Sequence, residues 1–468
     1  MLNSKFMGVS AKRLATRGFA SVSSSLPKTQ ISKLSNGLTV VSENIPFTST
    51  ATVGVWIDSG SRAETTKNNG TAHFLEHLSF KGTKNRTQTG LELEIENIGS
   101  HLNAYTSRET TVYYAKTLQK NIPNSIEILS DILTHSVLDP RAIERERDVI
   151  IRESEEVDKM YDEVVFDHLH SVAFKDQPLG MTILGPRENI LSIQRNDLVD
   201  YINENYKGDR MALIGTGAVD HAKLCEFAEN SFGHLSKTKS RENMFGETPH
   251  YDLPVFKSSE MKVEDASVPQ THIAISVEGV SWSSPEYFTS LVVQAMIGTW
   301  DRSMGNGLNN PSKLVNTVAY AGVNNTPIAN SFMSFSTSYS DTGLWGIYLT
   351  TDSSNNEKLI QGILDEWKRL KKGEFAVEEL EKAKNQLKAS LLLSLDGTTA
   401  VAEDIGRQIV STGKRLTPEE VFDAVNRVNK DDIVNWCNYR LGAGKISLAA
   451  LGAVSDIPSY QQISQQMV

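Results

Sequence analysis

The stretch Thr71-Ala72-His73-Phe74-Leu75-Glu76-His77-Leu78 carries two histidines four residues apart, with a glutamate beside the second one. Residues four apart on an α-helix share one face, so both imidazoles can reach one metal ion. Glu76 lies on the same face, near enough to take a proton from a water molecule at the metal without being a ligand. The stretch therefore predicts a helix over residues 70–78 that carries a zinc site, in the reverse of the more common His-Glu-x-x-His order.

A catalytic zinc ion needs a third protein ligand and one open position, so a further carboxylate or histidine must come from elsewhere in the chain. The candidates are Glu146 and Glu153, in a run that predicts a long, charged helix over residues 141–159. They lie seven residues apart, which is two turns of one helix face. One can bind the metal while the other orients a histidine ligand. Taken alone, the histidine pattern also fits a surface helix with two histidines.

The amino-terminal residues have the composition of a mitochondrial transit peptide. Glu43 is the first acidic residue, and many Ser, Ala and Thr precede it together with the basic residues Lys5, Lys12, Arg13, Arg17, Lys28 and Lys33. The apolar residues here are too scattered for a secretory signal, and a disordered basic tail is the alternative. Arg17-Gly18-Phe19 is typical of a matrix processing site. We therefore expect removal of residues 1–19 and a location in the mitochondrial matrix.

Charge and composition exclude several classes of protein. The formal net charge is −10 over 468 residues, which argues against a nucleic-acid partner and suits a cationic ligand. Cys225 and Cys437 are the only two cysteines, so the chain has neither a disulfide framework nor a CxxC zinc site. No apolar run approaches the length of a membrane span. We expect an ordinary globular protein without a transmembrane segment.

Short motifs recur along the chain at an offset of 235 residues. Gly217-Ala218-Val219 matches Gly452-Ala453-Val454, and Asp197-Leu198-Val199 matches Asp432-Ile433-Val434. Such repetition indicates two copies of one structural unit. We therefore predict an amino-terminal zinc-binding catalytic domain over residues 20–240, a polar linker over 241–264 and a homologous domain without metal over 265–468.

The first half predicts a mixture of strands and helices. Strand patterns cover residues 38–41, 51–57 and 110–117, and helical apolar spacing covers 122–133. Each half is then expected to be a mixed sheet with helices packed on one face. This is an α+β architecture.

Three blocks of sequence, residues 71–83, 102–109 and 145–159, resemble the pitrilysin-type metallopeptidase family, in the branch that cleaves mitochondrial presequences. Glu153 lies 76 residues after His77, which is the spacing of the distal glutamate in that family. The resemblance runs from about Ser35 to the carboxyl terminus. It implies two homologous mixed-sheet domains of the LuxS/metallopeptidase-like type.

The resemblance also implies roles for individual residues. His73, His77 and Glu153 would hold Zn²⁺, Glu76 would be the general base, and Glu146 would orient a histidine ligand. The reaction would be the hydrolysis of a peptide bond by a zinc metalloendopeptidase.

Five further residues are implied in substrate binding. Asn103 and Tyr105 would lie on or beside an edge strand that receives an extended peptide. Phe80 would line the pocket for the residue after the cut, and Glu163 and Asp167 would hold an arginine upstream of it. The alternative is that Phe80 and Tyr105 are core aromatic residues, and that the two acids belong to a solvated helix face.

The second half has no His-x-x-Glu-His, and Lys388 falls opposite Glu153 at the repeat offset. Lysine is not a zinc ligand, so we expect one metal per chain. The resemblance implies a heterodimer with a non-catalytic α subunit, with basic presequence peptides as substrate. One rival function is a core subunit of the cytochrome bc1 complex, which has the same fold and a transit peptide. Another is a bacterial-type peptidase dimer, which has no transit peptide.

Overall fold

The computed structural model describes residues 27–238, 253–304, 312–320, 322, 326–352 and 355–468. The predicted transit peptide at residues 1–19 lies outside these residues. Within the described part, no helix combines the length and the apolar character needed to cross a bilayer. Both cysteines are free thiols.

The strands of the first half form one mixed six-stranded sheet. In chain order they are β1 (Thr29–Lys33), β2 (Thr39–Asn44), β3 (Thr50–Ile57), β4 (His101–Thr106), β5 (Thr111–Leu118) and β6 (Met211–Gly217). Their order across the sheet is β1-β2-β6-β3-β5-β4. Only β2 and β6 are parallel, and the other neighbours are antiparallel. Strand β4 therefore forms one edge.

The strands of the second half form a second mixed six-stranded sheet. Its strands are β7 (Ser259–Glu264), β8 (Thr271–Glu278), β9 (Thr299–Asp301), β10 (Ser331–Ser338), β11 (Gly343–Thr351) and β12 (Ser447–Gly452). Their order is β7-β12-β8-β11-β10-β9, again with one parallel pair, β12 and β7. The equivalent strands β6 and β12 both end at a glycine with positive φ, Gly217 (95°) and Gly452 (114°). The repeated Gly-Ala-Val motif thus marks the same turn in each half, and the predicted α+β fold of two homologous sheets is confirmed.

Sixteen α-helices connect the strands within the described residues. The first half contains α1 (Thr71–Leu78), α2 (Gln88–Asn97), α3 (Ile122–Thr134), α4 (Pro140–Val157), α5 (Tyr161–Ala173), α6 (Arg187–Ser192), α7 (Arg195–Asn205) and α8 (His221–Phe232). The second half contains α9 (Tyr287–Ile297), α10 (Lys313–Tyr320), α11 (Asn356–Lys371), α12 (Val377–Leu393), α13 (Thr398–Thr412), α14 (Pro418–Arg427), α15 (Lys430–Arg440) and α16 (Tyr460–Met467). The strands and helices expected in the first half all form, within three residues of the predicted bounds.

Alternate residues of the first sheet face opposite sides, as strand geometry requires. One side buries Val53, Val55 and Ile57 against helices of the same half. The other side buries Trp56 and Ile214 against α13, a helix of the second half. The expected layer of helices is therefore joined by a helix on the opposite face.

The second sheet has the reciprocal arrangement. Ile273 and Ile275 pack against helices of the second half, whereas Ala274 and Ala449 pack against α5 of the first half. Each half thus contributes one helix to the sheet of the other. Because neither sheet buries both of its apolar faces with its own helices, the two halves hold each other in place.

The segment expected to be a linker, residues 241–264, ends in a strand. Residues 239–252 lie outside the described part, but β7 pairs in parallel with β12 along its whole length. In β7 the apolar Met261 and Val263 alternate with Glu260, Lys262 and Glu264. The prediction was wrong for residues 259–264, because a half-buried edge strand needs so few apolar residues that it has the composition of a polar linker.

Candidate metal centre

Helix α1 presents the three polar residues of the His-x-x-Glu-His stretch on one side. Its opposite side buries Phe74, Leu75 and Leu78 in the core of the first half. The helix follows Gly70, whose φ of 104° is left-handed and turns the chain sharply into the first helical turn. Burial of the apolar side thus points the histidines and Glu76 away from the core.

Helix α4 brings the second part of the centre against α1. The side chain of Asp139 caps its amino terminus by accepting from Arg141 N, and Pro140 occupies the first turn. The buried guanidinium of Arg147 donates to the backbone oxygens of Ile190 and Ile193. These contacts fix the rotation of α4, so that Glu146 and Glu153 both face α1.

Three side chains converge where α1 and α4 meet. Potential ligand atoms of His73, His77 and Glu153 all lie within 4.8 Å of one another. Oε2 of Glu153 is 3.0 Å from Nε2 of His77 and 3.7 Å from Nε2 of His73. No other group of three or more His, Cys, Asp or Glu side chains meets this condition in the described part of the chain.

The donor set fits a bound cation. Oε2 of Glu153 is buried without a hydrogen bond to any described residue, although two imidazole nitrogens are near. A buried carboxylate oxygen without a hydrogen bond is costly in free energy. A metal ion between Glu153, His73 and His77 would remove that cost. Two imidazoles and one carboxylate, with a further position open, are the ligands of a catalytic zinc site.

Glu146 lies behind one of the histidines. Its Oε2 is 3.5 Å from Nδ1 of His77, and its Oε1 is 2.9 Å from Nζ of Lys81. A carboxylate at the second ring nitrogen fixes the tautomer that leaves Nε2 free for a metal. Of the alternatives left open by the spacing alone, the geometry therefore favours Glu153 as ligand and Glu146 as the residue that orients His77.

The electrostatics of the cluster also suit a cation. The nearby imidazoles of His73 and His77 hold the pKa of Glu153 well below its usual range. Burial lowers the pKa of His77, but Glu153, Glu76 and Glu146 outweigh burial and raise it. Carboxylates thus dominate the potential at this point, and a positive charge is stabilised there.

Glu76 occupies the position expected of a base. It lies one turn along α1 from His73, and its Oε2 accepts a 2.7 Å hydrogen bond from the hydroxyl of Thr106. Thr106 is the last residue of β4, so this contact joins the proposed base to the edge strand. Thr106 had no predicted role, because its partner in α1 lies thirty residues away along the chain.

The edge strand separates its side chains between two faces. Leu102 and Ala104 pack on the core beneath α1, so Asn103 and Tyr105 point to the other face of the sheet. Asn103 donates to the hydroxyl of Tyr114 at 3.3 Å, and the Tyr105 hydroxyl donates to Oε2 of Glu403 at 2.7 Å. Tyr105 is therefore neither a core residue nor directed at the metal ligands, and among the described strands β4 pairs only with β5.

The other residues expected to bind substrate have mixed surroundings. Phe80 is partly buried against the core, with its ring 6.4 Å from that of Tyr113. Glu163 is exposed on α5. Asp167, one turn further along, accepts a 2.6 Å hydrogen bond from the guanidinium of Arg108 and forms an ion pair with it. The carboxylate of Asp167 is thus already paired within the chain, and the substrate roles of all three residues stay predictions.

The second half has a lysine at the position that lies one repeat offset, 235 residues, after Glu153. Lys388 lies on α12, where its Nζ donates to Oδ1 of Asn426 at 2.9 Å. The described residues of the second half therefore contain no equivalent of the His73, His77 and Glu153 cluster. They supply α13 and the sheet against which α5 packs.

Comparison with known families gives two matches along the chain. Residues 39–187 match the family model described as insulinase (peptidase family M16), and residues 192–387 match the model of the peptidase M16 inactive domain. The proposed ligands and base all fall in the first match. The second match covers most of the half that has no such cluster.

Individual proteins are similar over nearly the whole chain. The mitochondrial-processing peptidase subunit beta of Saccharomyces cerevisiae is 60% identical, over 97% of this chain and 98% of its own length. The human subunit of the same name is 45% identical, over 97% of this chain and 90% of its own length.

Two solved structures are similar in fold. A chain of complex III2 from Candida albicans has a TM-score of 0.81 at 25% identity, and covers 94% of this chain and 99% of its own. A protease from Helicobacter pylori has a TM-score of 0.79 at 22% identity, and covers 91% of this chain and 100% of its own. At this identity the similarity supports the fold alone.

Proposed function

Since the chain belongs to peptidase family M16, we propose that it is the zinc-dependent catalytic subunit of a peptidase that removes targeting presequences from proteins imported into mitochondria. The observation that carries this proposal is the convergence of His73, His77 and Glu153, with Glu76 held beside them. High identity to processing peptidase beta subunits over the full length supports the choice of substrate.

The ligands proposed for zinc are the Nε2 atoms of both histidines and the carboxylate of Glu153. When bound, zinc would supply Lewis-acid activation of water and of the scissile carbonyl. Glu146 holds His77 in the tautomer that a ligand needs. We propose one zinc site per chain.

Glu76 performs the proton transfers in the proposed reaction. Its carboxylate takes the proton of the attacking water and passes it to the amine that leaves when the peptide bond breaks. The Thr106 hydroxyl holds Oε2 of Glu76 in a fixed place, which keeps the base oriented for this transfer. The outer backbone edge of β4, which pairs with no other described strand, can pair with an extended peptide, and the Thr106 contact sets that edge next to the base.

The proposed substrate is a basic presequence, and the proposed partner is a non-catalytic α subunit in a heterodimer. The net charge of −10 favours a cationic peptide. The names of the relatives describe one subunit of a larger enzyme. We propose that the pair works in the mitochondrial matrix.

The decisive experiment compares the wild-type chain with Glu76→Gln, each with and without the α subunit. Wild type should contain about one zinc per chain and cleave a presequence peptide only when α is present. Glu76→Gln should still bind zinc, and its kcat should fall by a factor of about 10² to 10⁴. Normal cleavage by that variant would refute the role of Glu76.

The rival function as a bc1 core subunit predicts a different distribution in the cell. The complex III chain is 25% identical in sequence to this chain, whereas the yeast processing peptidase subunit is 60% identical. The peptidase function is therefore better supported than the bc1 function. Fractionation tests the choice: processing activity should remain in the soluble matrix fraction, and copurification of the chain with cytochromes would support the rival.

A further inference from the structure

Helix α1 has no capping side chain of its own, although it carries both histidines and Glu76. Gly70 stands at the cap position and has no side chain to offer. The first N–H groups of any α-helix lack partners within the helix and need an acceptor. In α1 these groups are buried, so water does not readily supply one.

The acceptor comes from Glu64, six residues before the cap position. Its Oε1 accepts from Ala72 N at 2.6 Å, and its Oε2 accepts from Gly70 N at 2.9 Å and from Nδ2 of Asn69 at 2.8 Å. Glu64 is itself 2% exposed. One buried carboxylate thus receives three hydrogen bonds at the start of the helix.

We propose that Glu64 is a positioning residue of the metal centre, which sets the orientation of α1 and hence of His73, Glu76 and His77. The inference rests on the proposed metal site. Ala72, which donates to Glu64, is the residue directly before His73. A displacement of that backbone therefore moves the first metal ligand.

A carboxylate is suited to this place for two reasons. Two oxygens are needed to accept from three donors, and the negative charge faces the positive end of the helix dipole. Glutamine has the same shape, but its amide NH₂ would point at one or two of these N–H donors. Glu64→Gln therefore breaks one or two of the three hydrogen bonds of the cap and removes its charge, without leaving a cavity.

The chain around Glu64 is packed so closely that the cap cannot move far. Nδ2 of Asn69 also donates to the backbone oxygen of Thr182 at 2.8 Å. A Cβ added at Gly70 would lie 2.6 Å from the backbone oxygen of Leu184, and one added at Gly185 would lie 2.3 Å from that of Asn69. Glu64, Asn69 and the loop at residues 182–185 together hold the first turn of α1.

The test measures the chain without substrate. Burial raises the pKa of Glu64 to about 7, although the hydrogen bonds oppose this rise, so measurements are made at pH 8, where the carboxylate is ionised. In metal-free Glu64→Gln, amide hydrogen exchange over residues 71–78 should be about fivefold faster, as expected for loss of a cap. Zinc affinity, measured by competition with a chelator, should fall about tenfold.

A matched control removes a different buried carboxylate. Glu366 is 6% exposed and pairs with Arg369 at 2.8 Å in the second half, so Glu366→Gln loses the same charge far from α1 in the fold. Exchange of the α1 amides and zinc affinity should stay at wild-type values in this control. Equal effects of Glu64→Gln and Glu366→Gln on both measurements would overturn the proposal.

A milder variant keeps the proposal testable if Glu64→Gln does not fold. Asn69→Ala removes one donor and leaves both backbone hydrogen bonds to Glu64, so the same two quantities should change in the same direction by about twofold. Wild-type exchange and zinc affinity in Asn69→Ala would count against the role of Glu64. Neither measurement uses a peptide, so they stand even if the wild-type chain cleaves no presequence, which would refute only the proposed function.

In the heterodimer, a positioning role also predicts that the effect of Glu64→Gln falls on kcat and not on KM. The kcat of Glu64→Gln should fall with little change in KM, because the hydrogen bonds of the Glu64 carboxylate within the described part of the chain go to residues 69–72 and not to the edge strand that would bind the peptide. A general loss of folded protein would instead lower the apparent enzyme concentration and leave the zinc affinity of the folded fraction unchanged.

Discussion

The hydroxyl of Thr106 donates a 2.7 Å hydrogen bond to Oε2 of Glu76. Thr106 ends the edge strand β4, and Glu76 lies between the two histidines of α1. One hydrogen bond thus joins the surface on which a peptide could pair to the proposed base.

Thr106→Val should lower kcat for presequence cleavage about 10- to 100-fold, because a hydrogen bond to a charged group contributes about 1.5–3 kcal/mol. Thr106→Ser keeps the hydroxyl and should stay near wild type. Steady-state kinetics of the heterodimer, with zinc content measured in parallel, separate loss of orientation from loss of metal. Equal kcat in Thr106→Val and wild type would show that the contact is not needed for turnover.

Glu153→Ala should abolish zinc binding at micromolar free metal, because it removes one of three proposed ligands and leaves His73 and His77 alone. Metal analysis of the purified chain measures the effect. Glu155→Ala is the control, since Glu155 lies on the same helix with its side chain 60% exposed. A stoichiometric zinc content in Glu153→Ala would refute the proposed ligand set.

Gly406→Ala should destabilise the contact between α13 and the first sheet. A Cβ at this position would lie 2.3–2.5 Å from ring atoms of the buried Trp56, which is closer than atoms can pack. We expect a loss of about 1–3 kcal/mol in the free energy of unfolding, as for other overpacked cores, measured by urea denaturation.

The control for that variant is Gly90→Ala in the exposed part of α2. There the nearest atom to the added Cβ is Oγ1 of Thr87 at 3.1 Å. Alanine is the better helix former by about 1 kcal/mol, so Gly90→Ala should be neutral or slightly stabilising. A similar loss of stability in both variants would show that the Trp56 contact has no special importance.

His170 should make the chain less stable in acid. It is buried between the halves, where it contacts the Phe166 backbone oxygen and the Tyr339 hydroxyl, each at 2.7 Å. Burial, aided by the nearby Arg108, holds its pKa well below 6.5. The unfolded chain therefore binds a proton that the folded chain does not, and stability present above pH 6.5 is lost as the pH falls below it.

The loss from this one group should reach at most about 1.4 kcal/mol per pH unit. Urea denaturation of wild type and His170→Gln between pH 5 and 8 measures it. The difference between the two chains should grow in favour of the variant as the pH falls. Parallel curves would show that His170 does not control the acid response.

Local spacing accounted for much of the chemistry. Helical periodicity alone placed His73, Glu76 and His77 on one face of α1, and Glu146 and Glu153 on one face of α4. The expected helices and strands of the first half form within three residues of their predicted bounds. These features depend on residues close together in the chain, whose geometry is fixed by the helix and strand repeat.

Only the tertiary structure decided how these faces meet. It placed Glu153 beside Nε2 of both histidines and Glu146 beside Nδ1 of His77 through the rotation of α4, which agrees with the roles that the resemblance implied. It also paired Glu76 with Thr106, Asp167 with Arg108 and Tyr105 with Glu403. Each of these contacts joins residues that lie at least thirty positions apart in the chain. A periodic pattern describes one element at a time, and the packing of apolar faces determines which elements become neighbours.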